Sequence, residues 1–425
     1  LLFPEPLPVD SIKLRPREVL VEYVVTRTVA IAFILKDGKL AAALDIPIGR
    51  GSLQAIVRTY LRSFQDIHAA KDLARYDPAA GLQVYRRIFE PVLQAKDAGG
   101  RPLIAKSDKL IIVPDDILGV LPFEALPTTA PARLEMPSGL YGPVPVGVSY
   151  VGDEYDIAYQ RSATALTLQR MMRRGGNAAS GLFVLADPIF SEADPRSKGL
   201  SEPMSEAKAD VIETMGVGGL REQFSEKRLA GGPPLIPRLD RTGLMAEHLR
   251  DKVFAGEDVT LLEGASATKA NLTPMAIEDK RYVVFATHGL VDGDLPGLTD
   301  PALLLTQYGG RSPSDGLLTM GEISKMRLNA DLVALTACKT GLGRTVWGEG
   351  ALSLGRAFQS AGARSVLISM WEVSEDSTNE FVERLFQHLK NGETSRKALR
   401  SARSEIRKLG YDHPYYWAPF VLTTD

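Results

Sequence analysis

Two apolar runs in the second half of the chain each end in a reactive side chain: Val283-Val284-Phe285-Ala286-Thr287-His288-Gly289 and Leu332-Val333-Ala334-Leu335-Thr336-Ala337-Cys338. Short continuous runs of this kind, bounded by Gly or Asp, predict strands buried on both faces, as in the middle of a parallel sheet. Similar runs at Leu182–Pro188, Val259–Leu262, Ala302–Thr306 and Ser365–Trp371 predict further strands. Between them, helical spacing predicts helices at Thr242–Val253, Met320–Lys325, Ala351–Ser360 and Thr378–Lys390, with another at Ser395–Leu409 before a last strand at Ala418–Leu422. Strands alternating with helices predict an α/β fold around a parallel sheet.

The first half reads differently at its start. Val21–Val25, Val29–Leu35 and Leu40–Leu44, with Asp37-Gly38 between the last two, predict an antiparallel meander. Helical patterns at Ser52–Ser63 and Gly81–Lys96, strands at Lys109–Pro114 and Val148–Tyr159, and a helix at Ser162–Arg173 complete a small α/β unit. The expected organisation is a Pro-rich linker over 1–19 from an upstream region, an α/β domain over 20–176, and a second over 177–425. Within the latter, about 190–238 is rich in Gly, Pro, Ser and charge. It reads as a solvated insertion or, more sharply, as a regulatory or processed loop.

Composition narrows the function more by exclusion than by pointing. With 425 residues, 44% hydrophobic and 24% charged, the chain has the make-up of an ordinary globular protein. Fifty basic against 52 acidic residues leave no global footprint for direct nucleic-acid or membrane binding. No apolar stretch reaches the length of about 20 needed to span a bilayer, and a cytoplasmic location is expected. The single cysteine, Cys338, excludes an intrachain disulfide and a multi-cysteine metal site. The five histidines show no close ligand pair, so no metal is expected. The Gly341–Gly350 stretch invites a phosphate-loop reading, but Val346 stands where GxGxxG needs Gly and Glu349 where a Walker loop needs Lys, so no cofactor is expected either.

His288 and Cys338 are therefore the candidate chemistry. A free thiol with a pKa of about 8.5 is mostly protonated at neutral pH, and only the thiolate attacks well. A neighbouring imidazole takes that proton and later protonates a leaving amine. Backbone N–H groups of Gly289 and Cys338 would face the oxyanion. The bland alternative is a buried apolar cysteine and a hydrogen-bonded structural histidine; matching strand ends favour the dyad. Beyond the Ser365 strand, Trp371, Glu375 and Asp376 are candidates for a substrate pocket that takes a basic side chain, with Ser374–Asp376 alternatively capping the next helix. Asp292, in the turn-rich loop after His288, is counted with the pocket.

The carboxyl half resembles the CHAT family, caspase-like proteases of bacteria related to separase. The residues that carry the resemblance are Ala286-Thr287-His288-Gly289, Asp315-Gly316-Leu317-Leu318, Ala337-Cys338-Lys339-Thr340-Gly341, Gly348-Glu349-Gly350, Arg356-Ala357-Phe358, Ala361-Gly362-Ala363, Trp371-Glu372-Val373 and Trp417-Ala418-Pro419-Phe420. Caspases also carry their histidine about 50 residues before an Ala-Cys. The resemblance implies a caspase-like three-layer α/β/α sandwich preceded by a degenerate, non-catalytic copy of the fold. It implies a cofactor-free cysteine endopeptidase with His288 and Cys338 as its dyad, and a basic-residue pocket at Glu375 and Asp376. Lys339 departs from the pattern, since many family members have an acidic residue there. The resemblance also implies a protein substrate, a TPR-type or other regulatory partner, and a role in bacterial defence alongside CRISPR effectors or gasdermin-like substrates. A catalytically silent caspase-like scaffold is the alternative from another class, and a nucleotide-binding domain a third.

Overall fold

The meander forms as expected. β1 (Glu18–Val25), β2 (Ala30–Lys36) and β3 (Lys39–Ile46) pair antiparallel in sequence order. Asp37 and Gly38 turn the chain between β2 and β3 with φ of 52° and 73°. Left-handed backbone at both central residues matches the twist of the flanking strands, and Gly adopts it without a Cβ clash. The protein is seen here as a computed structural model, which describes residues 5–65, 67, 70–131, 133–135, 144–171, 180–190, 194–200, 238–290, 299–308, 313–336, 349–371 and 374–424.

By compactness the chain divides into two units, residues 1–175 with 392–425, and residues 176–391. The last stretch, grouped by sequence with 177–391, thus lies in the first unit. There β4 (Lys109–Val113) runs parallel to β1, β5 (Arg133–Glu135) and β6 (Val144–Val146) pair with each other, and β7 (Asp156–Tyr159) runs parallel to β4. The strand expected over 148–159 begins instead with a helical turn, Val151–Glu154. The Asp153 carboxylate takes the N–H of Tyr150 at 2.9 Å, which starts a helix where the apolar pattern alone suggests extended chain.

The second unit contains β8 (Ser180–Pro188), β9 (Val259–Gly264), β10 (Lys280–Ala286), β11 (Gly289–Leu290), β12 (Ala302–Leu304), β13 (Leu317–Thr319), β14 (Leu332–Leu335) and β15 (Ser365–Ser369). Its sheet, in the order β15-β14-β10-β8-β9, is parallel throughout. β11, β12 and β13 form a small antiparallel sheet of their own. The last strand, β16 (Phe420–Thr424), runs parallel to β7 in the first unit. The protein is thus a mixed α/β structure on mostly parallel sheet, as expected. The middle strands β10 and β14 are buried along their apolar residues, Val283, Val284, Phe285 and Leu332–Leu335 all at 0% exposure. That is what continuous apolar runs require.

One glycine fixes the approach to β14 and β15. The helix Glu349–Ala361 ends at Gly362, whose φ is 119° and whose missing Cβ would lie 2.1 Å from the Leu328 carbonyl oxygen. Only Gly allows that crossing.

His413, which no motif singles out, is fully buried in the first unit. Its Nδ1 accepts the Tyr415 N–H at 3.1 Å, capping the turn Pro414–Trp417, while Nε2 lies 3.1 Å from the Leu73 carbonyl oxygen and donates to it. Only the neutral Nε2–H tautomer satisfies both partners. Burial pushes the imidazole from its ordinary 6.5 down to about 4, against the opposing pull of the Leu73 carbonyl. Between those values the unfolded chain binds the proton more readily, so stability falls as pH drops from about 6.5 to about 4, by up to about 3 kcal/mol. Urea midpoints measured across this window should fall less steeply for His413→Asn than for the wild type. Equal slopes would show that this imidazole does not carry the acid sensitivity.

Candidate active site

β10 and β14 are neighbours, and their register pairs Tyr282 with Leu332, Val283 with Val333, Val284 with Ala334 and Phe285 with Leu335. The offset, 332 − 282, is 50 at every pair, the same as 338 − 288. One residue further, the Thr336 N–H donates to the Phe285 carbonyl at 3.1 Å. Thr336 is the last described residue before Cys338, which lies outside the described residues.

His288 lies two residues beyond the end of β10, after Thr287, and is 8% exposed. Its backbone carbonyl accepts the Leu304 N–H at 2.8 Å, and the Thr287 hydroxyl donates to the Leu304 carbonyl. The small antiparallel sheet therefore holds the main chain on both sides of the imidazole. The ring itself packs against Phe190, centroids 5.2 Å apart at 53°. Gly289, next in line, is buried opposite Leu303.

The candidates after β15 lie at the carboxyl end of the strand next to β14. Trp371 is 1% exposed, its carbonyl accepting from the Ser369 hydroxyl at 2.7 Å. Ser374 caps the helix Glu375–Lys390 by accepting the Ser377 N–H at 3.2 Å, so the capping role is real. Asp376 forms an ion pair with Arg241, both about half exposed. Glu375 has one carboxylate oxygen, Oε2, buried without a hydrogen-bond partner among the described residues. Burial, with Asp240 beside it, pushes its pKa up to about 7. Asp292, Glu372, the Gly341–Gly348 stretch and most of the 190–238 insertion lie outside the described residues. Among the described residues no group of His, Cys, Asp or Glu has the arrangement of a metal site. No described helix is long and apolar enough to cross a membrane.

Residues 78–425 match the family model of the CHAT domain. The chain belongs to the CHAT-domain family. Among curated proteins it is similar to tetratricopeptide repeat protein 28 of Mus musculus, with 34% identity over 107 residues, 25% of this chain. The Homo sapiens protein of the same name is 32% identical over 107 residues, also 25% of this chain. The chain covers only 4% of the length of either relative. Among solved structures, the Saccharomyces cerevisiae separase–securin complex aligns at a TM-score of 0.48 and 9% identity, over 98% of this chain and 30% of that one. The Arg-specific cysteine proteinase gingipain R aligns at 0.37 and 10% identity, over 88% of this chain and 74% of that one. TM-scores this low carry no argument about the site.

The rim of this CHAT domain holds residues that sequence reasoning missed. Asp187, at the end of β8, is 1% exposed and grips two guanidinium groups. Arg196 reaches it through Nη1 at 2.7 Å and Nη2 at 3.1 Å, and Arg238 through Nε at 2.9 Å and Nη2 at 2.6 Å. Arg196 is also held by Asp194, whose carboxyl it keeps below the usual carboxylate range. The signal available in the sequence is an Asp-Pro closing a buried strand at the same end as His288; nothing local marks Arg196 or Arg238 as its partners.

Proposed function

We propose that this CHAT domain is a cysteine endopeptidase whose dyad is His288 and Cys338. One observation carries the reading: the constant offset between β10 and β14 is the spacing of the two residues, so the strands that lead to them run level in adjacent positions of one sheet. In the reaction the imidazole takes the thiol proton, and the thiolate attacks the scissile carbonyl. The oxyanion then collapses to a thioester as His288 gives its proton to the departing amine, and water releases the acyl group. Gly289 supports an oxyanion role. The Leu304 N–H to His288 carbonyl bond makes 288 and 304 a hydrogen-bonded pair, so at Gly289, opposite Leu303, the N–H points away from β12 towards the outer edge of that small sheet.

In the same reading the catalytic domain is a caspase-like α/β/α sandwich, and the first unit a degenerate, non-catalytic copy. Its buried histidine, His413, is committed to structure. A protein is the substrate, and a repeat-bearing regulator is the partner class that the names of the curated relatives suggest. A peptide library varied at the residue before the scissile bond, run with the wild type and Cys338→Ala, tests the peptidase. Cleavage confined to the wild type supports it. No cleavage, together with a Cys338 that an active-site thiol probe leaves unlabelled, leaves the silent scaffold.

Trp371, Glu375, Asp376 and Asp292 complete the proposal as the pocket. Of the two carboxyls on this helix, Asp376 is already engaged by Arg241, which leaves Glu375 to meet a substrate cation. With its pKa raised to about 7, Glu375 is neutral below that pH and ionised above it. The ratio of kcat/KM for basic over neutral P1 peptides should therefore rise as pH increases through about 7, a ratio in which the dyad's own titration cancels. Glu375→Gln should flatten the rise; an unchanged profile removes Glu375 from the pocket.

A further inference from the structure

The end of β8 is not regular strand. Against β9, Ala186 pairs with Glu263 but Pro188 pairs with Gly264, so one extra residue, Asp187, is inserted on the β8 side. Its φ is 43°, the left-handed region that costs a residue with a Cβ on the order of 1–2 kcal/mol. Such a bulge bends the strand and re-aims the residues beyond it. Strain of this kind persists only where the surroundings over-determine it, and here they do. The buried carboxylate is held by both arginine forks, the Asp187 N–H donates to the Thr242 hydroxyl at 3.0 Å, and Arg196 Nη1 reaches the Asp187 carbonyl at 3.3 Å.

The bend redirects the next three residues. The Ile189 N–H donates to the buried Thr306 hydroxyl at 3.1 Å, and the Ile189 carbonyl accepts the Gln307 N–H at 2.9 Å. Phe190 is thereby delivered onto the His288 ring, centroids 5.2 Å apart. We propose that Phe190 is a positioning residue for the His288 imidazole, and that the Asp187 bulge, clamped by Arg196 and Arg238, is what holds Phe190 in place.

The inference rests on the dyad reading, and one measurement separates their failures. Cys338 is the sole cysteine, so its alkylation by iodoacetamide reports a single thiol in the full chain without any knowledge of the substrate. The rate is followed across roughly pH 5 to 9, spanning ordinary imidazole and thiol titration. If the dyad exists, His288→Ala moves the profile to higher pH. Phe190→Leu, which keeps apolar bulk but loses the ring, should then move it part of the way, by up to about one unit and so up to about tenfold in rate at neutral pH. Phe190→Tyr should restore it. Arg238→Lys, which keeps the charge but loses the fork, should give an intermediate profile, and Arg196→Ala with Arg238→Ala should match Phe190→Leu. Should His288→Ala move the profile while the Phe190→Leu and double arginine variants match the wild type, the positioning role is overturned and the dyad stands. A profile indifferent to His288→Ala overturns both. Arg238→Lys keeps the Asp187 charge compensated at a partly exposed position, so its result stands even if Phe190→Leu or the double arginine variant folds poorly.

Discussion

Replacement of either His288 or Cys338 by alanine is expected to abolish peptide cleavage, a loss of at least about a thousandfold. Without the sulfur no thioester forms. Without the imidazole the thiol stays protonated at neutral pH, and the amine has no acid to leave with. Because the two act as one unit, the double variant should be no slower than the worse single one. The fold should persist in His288→Ala, because the chain there is held through main-chain and Thr287 contacts to Leu304 that the variant keeps. Circular dichroism alongside the cleavage assay checks this. Substantial residual turnover in a folded variant of either residue would end the peptidase reading.

The largest expected loss of stability lies elsewhere, in the first unit. Glu124 is 0% exposed and Arg403 6% exposed. Arg403 Nη2 donates to Glu124 Oε1 at 3.1 Å and to the Phe420 carbonyl of β16, while the Tyr159 hydroxyl of β7 donates to the other carboxylate oxygen. Arg403→Met leaves a buried carboxylate with its charge uncompensated, a change that costs about 3–5 kcal/mol. Against a total stability of about 5–15 kcal/mol that is a large share. The thermal transition should fall by roughly 10 °C. Glu124→Gln combined with Arg403→Met should recover part of the loss, because the uncompensated charge is then gone. If Arg403→Met alone shifts the transition by no more than an exposed substitution does, the pair is not a buried ion pair in solution.

Both predictions concern charged or reactive groups, yet only one was visible in the sequence. His288 and Cys338 stand out because each ends an apolar run, and the run predicts a buried strand from composition within a few residues. The β2–β3 turn is legible for the same reason, since Asp37-Gly38 selects left-handed backbone by itself. Glu124 and Arg403, 279 positions apart, carry no such mark, and as lone charges they look like surface. The same holds for Glu18, which gathers Arg170 and Arg396 from 152 and 378 positions away.

What the sequence determined by itself is therefore local: most of the strand segments, a helix over Thr378–Lys390, and that β10 and β14 each lead to one half of a candidate dyad. Backbone preference and apolar periodicity act over a few residues, and a reader of the chain has those residues in view. The tertiary structure decided which strands lie side by side, that the last strand pairs with β7, that Asp187 takes two guanidinium groups, and that Phe190 meets His288. Those outcomes depend on sheet order and on which charges are desolvated together. No short window contains that information, because the free energy of a buried pair belongs to both partners and to the packing around them.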